Sequence, residues 1–243
     1  MDKTYKTIGF VLNRKDWREN DSLFSFYTEN FGKIQAVAIG SKKIKSKLMG
    51  HLSSYGLVDL MIARSKNSFD KLASARLIEK FDLNLEQDFI YINIIFELLE
   101  KSLELEDKNL LEWQLVIDTI RRLEKTSDKN SKKIIVIYFA CQLMKLLGYS
   151  PELYSCVKCN NKVGEKAYFS WHDNSMICSK CNCEKLKIDE NVIKFLRLIF
   201  INDQKVFPKL VIKQDLLNKI VVFMKDWLNY LVEKEIYSWK QIV

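Results

Sequence analysis

The pairs Cys156-Val157-Lys158-Cys159 and Cys178-Ser179-Lys180-Cys181, with 18 residues between them, restrict this chain more than any other stretch of it. A Cys-x-x-Cys unit turns two thiols toward one point at the tip of a tight turn, and two such units supply the four sulfurs of a tetrahedral zinc site. The residues between the pairs must then fold as an excursion that closes on itself. Asn160 follows the first pair, where such a turn enters the left-handed region that Asn tolerates better than most residues. Cys183 is a further thiol two residues past Cys181, a spacing ill suited to replacing a ligand. With Cys156, Cys159, Cys178 and Cys181 as ligands the shell is closed and no position remains for water or substrate. That predicts a structural zinc, and the ribbon-like spacing argues against a redox dithiol.

Five of the six cysteines fall between residues 156 and 183. The opening Met1-Asp2-Lys3-Thr4-Tyr5-Lys6 is polar, with no cleavage site behind an apolar run, and no stretch reaches the roughly 20 apolar residues of a membrane span. Together these predict a reduced, cytoplasmic protein with no membrane contact. The 243 residues allow one large domain or two modest ones, and the 48% of hydrophobic residues is enough for a real core.

Hydrophobic periodicity changes once along the chain. Residues 7–12, 22–27, 33–39, 55–62 and 72–81 read as five short strands. Ile8, Phe10 and Leu12 share one side of the first, and Glu29-Asn30-Phe31-Gly32 is a hairpin turn. From Asp88 the apolar residues recur at steps of three and four. Phe89, Ile92, Phe96, Leu99 and Leu103 form one stripe, Trp113, Val116, Ile120 and Leu123 another, and Ile134, Ile137, Cys141 and Met144 a third, with Gly148 and Pro151 as the stop. Asp189 caps a helix running to Phe200, and a long last helix carries Leu216, Ile220, Phe223, Trp227 and Tyr230. The predicted fold is α+β: a five-stranded barrel of the OB type over 1–81, then a helical domain over 82–243 with the zinc-binding segment 154–186 inserted.

Charge follows the same division. Residues 1–81 hold 15 Lys and Arg against 8 Asp and Glu, out of a net +8 for the whole chain. Lys42, Lys43, Lys45 and Lys47 lie in one loop between predicted strands, and Arg14, Lys15 and Arg18 surround Trp17. Mobile cations at a barrel edge suit phosphates, with counterion release favouring binding, and Trp17 offers a ring for a base or for the barrel itself. The alternative for the lysine run is a solvated turn. Phe24, Phe26 and Tyr27 read as core.

Catalytic signals are missing. His51 and His172 are the only histidines, and neither a GxxxxGK[ST] phosphate loop nor a GxSxG serine elbow occurs. Glu97, Glu100, Glu104, Glu106 and Asp107 read as the solvated face of a helix. The expectation is a binding protein and not an enzyme. A zinc-containing protein-interaction scaffold is the main alternative, and a zinc hydrolase is disfavoured by the closed shell.

Several stretches, in their order and spacing, are those of one family. Gly9-Phe10-Val11-Leu12 with Arg14, Asp16 and Glu19-Asn20-Asp21 opens the chain. Phe31-Gly32-Lys33-Ile34-Gln35-Ala36-Val37-Ala38 with Gly40 follows, then Lys45-Ser46, Leu48-Met49-Gly50-His51-Leu52 and Leu57-Val58-Asp59-Leu60. Leu146-Leu147-Gly148-Tyr149-Ser150-Pro151-Glu152-Leu153 leads into the first cysteine pair, and Phe169-Ser170 precedes the second. Along nearly its whole length the chain resembles the bacterial RecO family. Asn160 stands where that family often has Gly, and Ile44 where Pro is common. The resemblance implies an OB-fold, a helical domain with an embedded zinc segment, and a recombination mediator that binds single- and double-stranded DNA and anneals complementary strands. It also implies partnership with RecR and with the C-terminal tail of single-stranded DNA-binding protein, so that RecA can load.

Overall fold

A computed structural model of the chain describes residues 4–43, 46–66, 68–83, 85–164, 167–181, 187–201 and 212–243, with the backbone alone at 47, 85–87 and 167. Five strands, β1 (Thr4–Asp16), β2 (Ser22–Thr28), β3 (Gly32–Ala38), β4 (Gly56–Ala63) and β5 (Asp70–Lys80), close into a barrel in the order β1-β2-β3-β5-β4. All neighbours are antiparallel except β3 and β5, which run parallel and pair only at Ala36–Asp70 and Val37–Lys71. This is the Greek-key order of an OB-fold. Closure depends on β1: its first half pairs with β4 and its second half with β2, and the register shifts between Val11 and Asn13. Such a bulge bends a strand and increases its twist, which lets one strand serve two neighbours around a small barrel.

Alternation fills the interior. Gly56, Val58, Leu60 and Ile62 of β4 are buried while the residues between them are half-exposed. Phe24 and Phe26 from β2, Ile34 and Ala36 from β3, and Leu72 and Ala75 from β5 complete the core. A six-residue helix, α1 (Lys47–Leu52), adds Leu52 to that core, with Leu48 and Met49 against it. It is too short for a periodic signal, which is why the sequence pattern misses it.

β2 is buried at every position, on both faces. The cause is α2 (Leu85–Ser102) and α3 (Leu110–Glu124), which cover the outside of β1, β2 and β3. Phe10 turns away from the barrel lumen to meet Trp113 at 5.0 Å and Phe96 at 5.9 Å, and Tyr27 meets Trp113 at 5.8 Å. Each buried aromatic here contributes roughly 2–3 kcal/mol. Packing groups these two helices with the barrel, so that the chain divides into Met1–Lys125 and Thr126–Val243.

The acids expected on a solvated face do not share one. Glu97 and Glu100 are half-buried against the barrel, where Ser25 donates to Glu100 Oε1 at 3.0 Å and Lys33 Nζ donates to the Glu100 carbonyl at 2.9 Å. α2 has ended before Glu104, and the segment beyond it runs along β3, with the Glu106 N–H on the Lys33 carbonyl at 2.8 Å. Gly32 makes this possible. It sits at φ +63, and a Cβ there would lie 2.0 Å from the Asp107 carbonyl oxygen.

Asn109 caps α3, and Glu112 in its first turn is buried, accepting from Asn109 Nδ2 at 3.0 Å and from the Tyr27 hydroxyl at 3.4 Å. Burial raises the Glu112 pKa above the ordinary carboxylate value, with Asp107 adding to the rise, against the two hydrogen bonds that lower it. The folded state therefore holds this proton more tightly than the unfolded state. Its stabilising effect is complete below the unfolded pKa of about 4.3 and is lost as pH rises through the folded value. Glu112→Gln is expected to raise the urea midpoint at neutral pH, with the gain over wild type shrinking as pH falls toward 4.5. A gain that grows on acidification would contradict this.

In the second unit α4 (Lys129–Leu146) is buried on most sides, capped by Asp128 and stopped at Gly148 (φ +87), with Tyr149 N–H on the Met144 carbonyl at 2.8 Å. α5 (Glu190–Ile201) starts at Asp189, whose carboxylate accepts from the Asn191 N–H. α6 (Gln214–Val232) buries Leu217, Ile220, Val221, Met224, Trp227 and Leu228. That stripe is rotated from the expected one. Phe223 is half-buried and Tyr230 is exposed, because both flank the cysteine segment and not the helical core.

Candidate metal centre and nucleic-acid interface

The cysteine segment is built on a two-stranded sheet, β6 (Ala167–Ser170) and β7 (Ser175–Cys178). The first knuckle is tied to it through the Val157 N–H on the Met176 carbonyl at 3.0 Å, and it closes on itself through the Asn160 N–H on the Cys156 carbonyl at 2.8 Å. Asn160 has φ +56, the left-handed position expected of it. The second knuckle begins at the last residue of β7, with the Cys181 N–H on the Cys178 carbonyl at 3.2 Å. Phe169, Met176 and Ile177 are buried, and Trp171 stacks on Phe223 of α6 at 5.5 Å. Trp227 Nε1 donates to Asn174 Oδ1 at 2.7 Å, and the Arg197 guanidinium holds the Leu153 carbonyl.

The four Sγ atoms of Cys156, Cys159, Cys178 and Cys181 all lie within 4.8 Å of one another, and those of Cys159 and Cys178 are 3.7 Å apart. A tetrahedral zinc with bonds of about 2.3 Å separates its sulfurs by roughly 3.8 Å, so the donor set and its spacing fit that ion. Burial works to raise the Cys156 pKa, but the N–H groups of Cys178, Cys159 and Lys158 outweigh it and hold the thiol down to about 6. Cys178 is lowered by the Cys181 N–H in the same way. Cys183 lies outside the described residues. Cys141 is fully buried on α4 beside Met224, where burial alone pushes its thiol far up. His172 is exposed beside Asp173 and takes no part in the cluster.

At the other candidate site the structure brings two separate basic runs together. The β1–β2 connection and the start of the β3–α1 connection touch at one end of the barrel. The Lys42 N–H donates to the Asn20 carbonyl at 3.1 Å, Gly40 N–H to Asp21 Oδ1 at 2.8 Å, and Ser41 Oγ to Ser22 Oγ at 3.0 Å. Arg14, Lys15, Arg18 and Lys43 are exposed there. Lys42 is half-buried instead: its ammonium is 3.0 Å from Asp16 Oδ1 and donates to the Arg18 carbonyl. Lys45 and the side chain of Lys47 lie outside the described residues. Trp17 is 44% exposed and packs edge-on against Phe69 at 4.9 Å. That contact brings in the β4–β5 connection with its exposed Arg64 and Lys66, which the sequence pattern does not single out. One arginine and one lysine are too sparse to register as a run. Their only signal is position, between the last two strands of a five-strand barrel.

A five-strand Greek-key barrel followed by helices that carry a four-thiol hairpin defines a protein of the oligonucleotide-binding-barrel class with a zinc-ribbon-like insert. The chain belongs to the recombination protein O family: the model described as "Recombination protein O N terminal" matches residues 1–81, and the one described as "Recombination protein O C terminal" matches residues 87–240. The family is one of DNA repair and recombination proteins. "DNA repair protein RecO" of Caldicellulosiruptor bescii is 27% identical over 238 residues, 96% of each chain. The protein of the same name from Dehalococcoides mccartyi is 28% identical over 237 residues, covering 95% of this chain and 92% of its own. That of Listeria monocytogenes is 28% identical over 242 residues, covering 94% of this chain and 86% of its own. Among the described residues no helix is long and apolar enough to cross a membrane.

Proposed function

We propose that this protein binds single- and double-stranded DNA through the loop end of its barrel, anneals complementary strands, and acts as a non-catalytic mediator of homologous recombination in the bacterial cytoplasm. The observation that carries the reading is the meeting of Arg14, Lys15, Arg18 and the Lys42–Lys43 loop around one barrel end, beside the Trp17–Phe69 pair. Helices α2 and α3 cover the outer face of β2 and β3, so that face is closed to a strand while the connections at this end stay open to one. Contacts of this kind go chiefly to phosphates, release counterions, and are broadly tolerant of sequence. One cationic surface that neutralises two backbones lowers their mutual repulsion and lets bases pair. The barrel over 1–81 is the DNA-binding domain in this reading, and 82–243 the helical domain.

Cys156, Cys159, Cys178 and Cys181 would hold a zinc ion whose role is to cross-link the two knuckles. The partners implied by the family, RecR and the C-terminal tail of single-stranded DNA-binding protein, with help to RecA loading, belong to the proposal and rest on family membership.

Titration of labelled single-stranded DNA by fluorescence anisotropy at several salt concentrations tests the reading. Tight binding that falls steeply with salt supports it, and no binding at low salt overturns it. The Asp16–Lys42 pair adds a finer expectation. Asp16→Asn removes a carboxylate that competes with phosphate for Lys42, so affinity at moderate salt should rise by about two- to fourfold. An unchanged affinity would mean that Lys42 does not meet phosphate.

A further inference from the structure

Within the first unit a cleft of about 380 Å³ opens beside the barrel. β3 and β5 pair only at Ala36–Asp70 and Val37–Lys71, so beyond those residues the seam between the two strands parts. The segment after α2 runs along the other side, with Leu105 bridged to Lys33. Ile34, Phe69 and Leu105 give the space apolar walls, Gln35, Asp70 and Glu106 give it acceptors, and the Ser65 and Ser68 hydroxyls at its edge are bonded to each other at 2.7 Å, with Ser68 donating to the Phe69 carbonyl.

Asp70 and Glu106 are carboxylates, which accept and do not donate. Gln35 gives one amide N–H to Ser25 Oγ at 3.2 Å and keeps its carbonyl oxygen and its second N–H. Asp70 is fixed by the Ser65 N–H at 2.9 Å and the Tyr5 hydroxyl at 3.4 Å, and each of its oxygens keeps a further lone pair. Glu106 is exposed, at φ +59. Phosphate is repelled by two carboxylates, and a hydrated metal ion gains nothing from the apolar walls. A flat, neutral group with amino hydrogens on its edge satisfies both sets of residues at once. Phe69, a wall of the cleft, is also the ring that meets Trp17, so the cleft continues the surface assigned above to DNA. Arg64 and Lys66, on either side of Ser65 in the same β4–β5 connection, are exposed and add positive charge beside the cleft.

We infer that this cleft is a nucleobase subsite that prefers amino-bearing bases, taking cytosine in preference to thymine. The inference rests on the DNA-binding reading and adds a location and a preference to it. Cytosine presents its N4 amino group as a donor where thymine presents the O4 acceptor, so an acceptor-lined cleft separates them although both are pyrimidines.

The test compares deoxycytidine and thymidine homo-oligonucleotides of equal length by anisotropy, at one moderate salt concentration and mildly alkaline pH. The deoxycytidine strand should bind about three- to fivefold more tightly, the range of one or two modest hydrogen bonds. Glu106→Lys, an exposed change that replaces an acceptor with a donor, should bring that ratio to unity or below. Gln35→Met should reduce it while leaving the salt slope unaltered. Equal binding of both strands by the wild type overturns the inference and leaves DNA binding standing. So does a ratio unchanged in both variants when circular dichroism shows them folded. If neither strand binds, the DNA-binding reading itself fails and the subsite with it.

Discussion

Serine in place of Cys156 and Cys159 is expected to abolish zinc binding and to open the hairpin that residues 151–181 build on α5 and α6. Among the described residues of that excursion, Leu153, Val163, Phe169, Met176 and Ile177 are the buried apolar side chains besides Cys156, so its own apolar burial is too small to hold two knuckles against chain entropy. Structural zinc contributes folding free energy directly, about 10–16 kcal/mol in isolated zinc-finger peptides. Here Trp171 on Phe223, Trp227 on Asn174 and Arg197 on Leu153 would retain part of the hairpin, so the net loss of stability is smaller, about 3 kcal/mol or more. Metal analysis should give one zinc per wild-type chain and none in the variant. Limited proteolysis should cut the variant between the two cysteine pairs. Exhaustive chelation of the wild type should reproduce both results. A variant that keeps its metal, or loses it without any change in thermal unfolding, would show that these four sulfurs do not support the fold.

Alanine at Arg14, Lys15, Arg18, Lys42 and Lys43 together should weaken single-stranded DNA binding by two orders of magnitude or more near 0.1 M salt. Each phosphate deprived of its cationic partner reduces the slope of log K against log salt by roughly 0.7 on a single strand, so removing five such partners flattens it by about 3.5. Except for Lys42 these side chains are exposed, and none belongs to the barrel core, so circular dichroism and zinc content should be unchanged. Preserved affinity with a preserved slope would move the binding surface elsewhere on the molecule.

Local chemistry announced some parts of this molecule and spatial arrangement created others. The knuckles were legible because a Cys-x-x-Cys unit and Asn160 at positive φ depend on a few consecutive residues. The five strands were legible from alternation, most plainly in β4, where one face is core and the other half-exposed. Phe10 was assigned to a stripe, but no pattern could say that its ring leaves the barrel to meet Phe96 and Trp113, since that depends on where α2 and α3 pack. The same packing turns Glu97 and Glu100 from solvent-facing acids into half-buried ones. On α6 the stripe was misplaced because two apolar surfaces share the helix. One is formed by Ile220, Met224 and Trp227 for the core, and the other by Phe223 and Tyr230 for the hairpin. Phe69, with Arg64 and Lys66 on the same connection, was invisible as part of a site because only barrel closure carries Phe69 to Trp17.

The most direct measurement is the rate at which the protein pairs two complementary oligonucleotides, followed by fluorescence energy transfer across a range of salt. Pairing should be faster than the spontaneous rate, with an acceleration that fades as salt rises and is lost when Arg14, Lys15, Arg18, Lys42 and Lys43 are all neutralised. Acceleration that persists in that variant, or none at any salt in a wild type that still binds DNA, would contradict an annealing role for the barrel end.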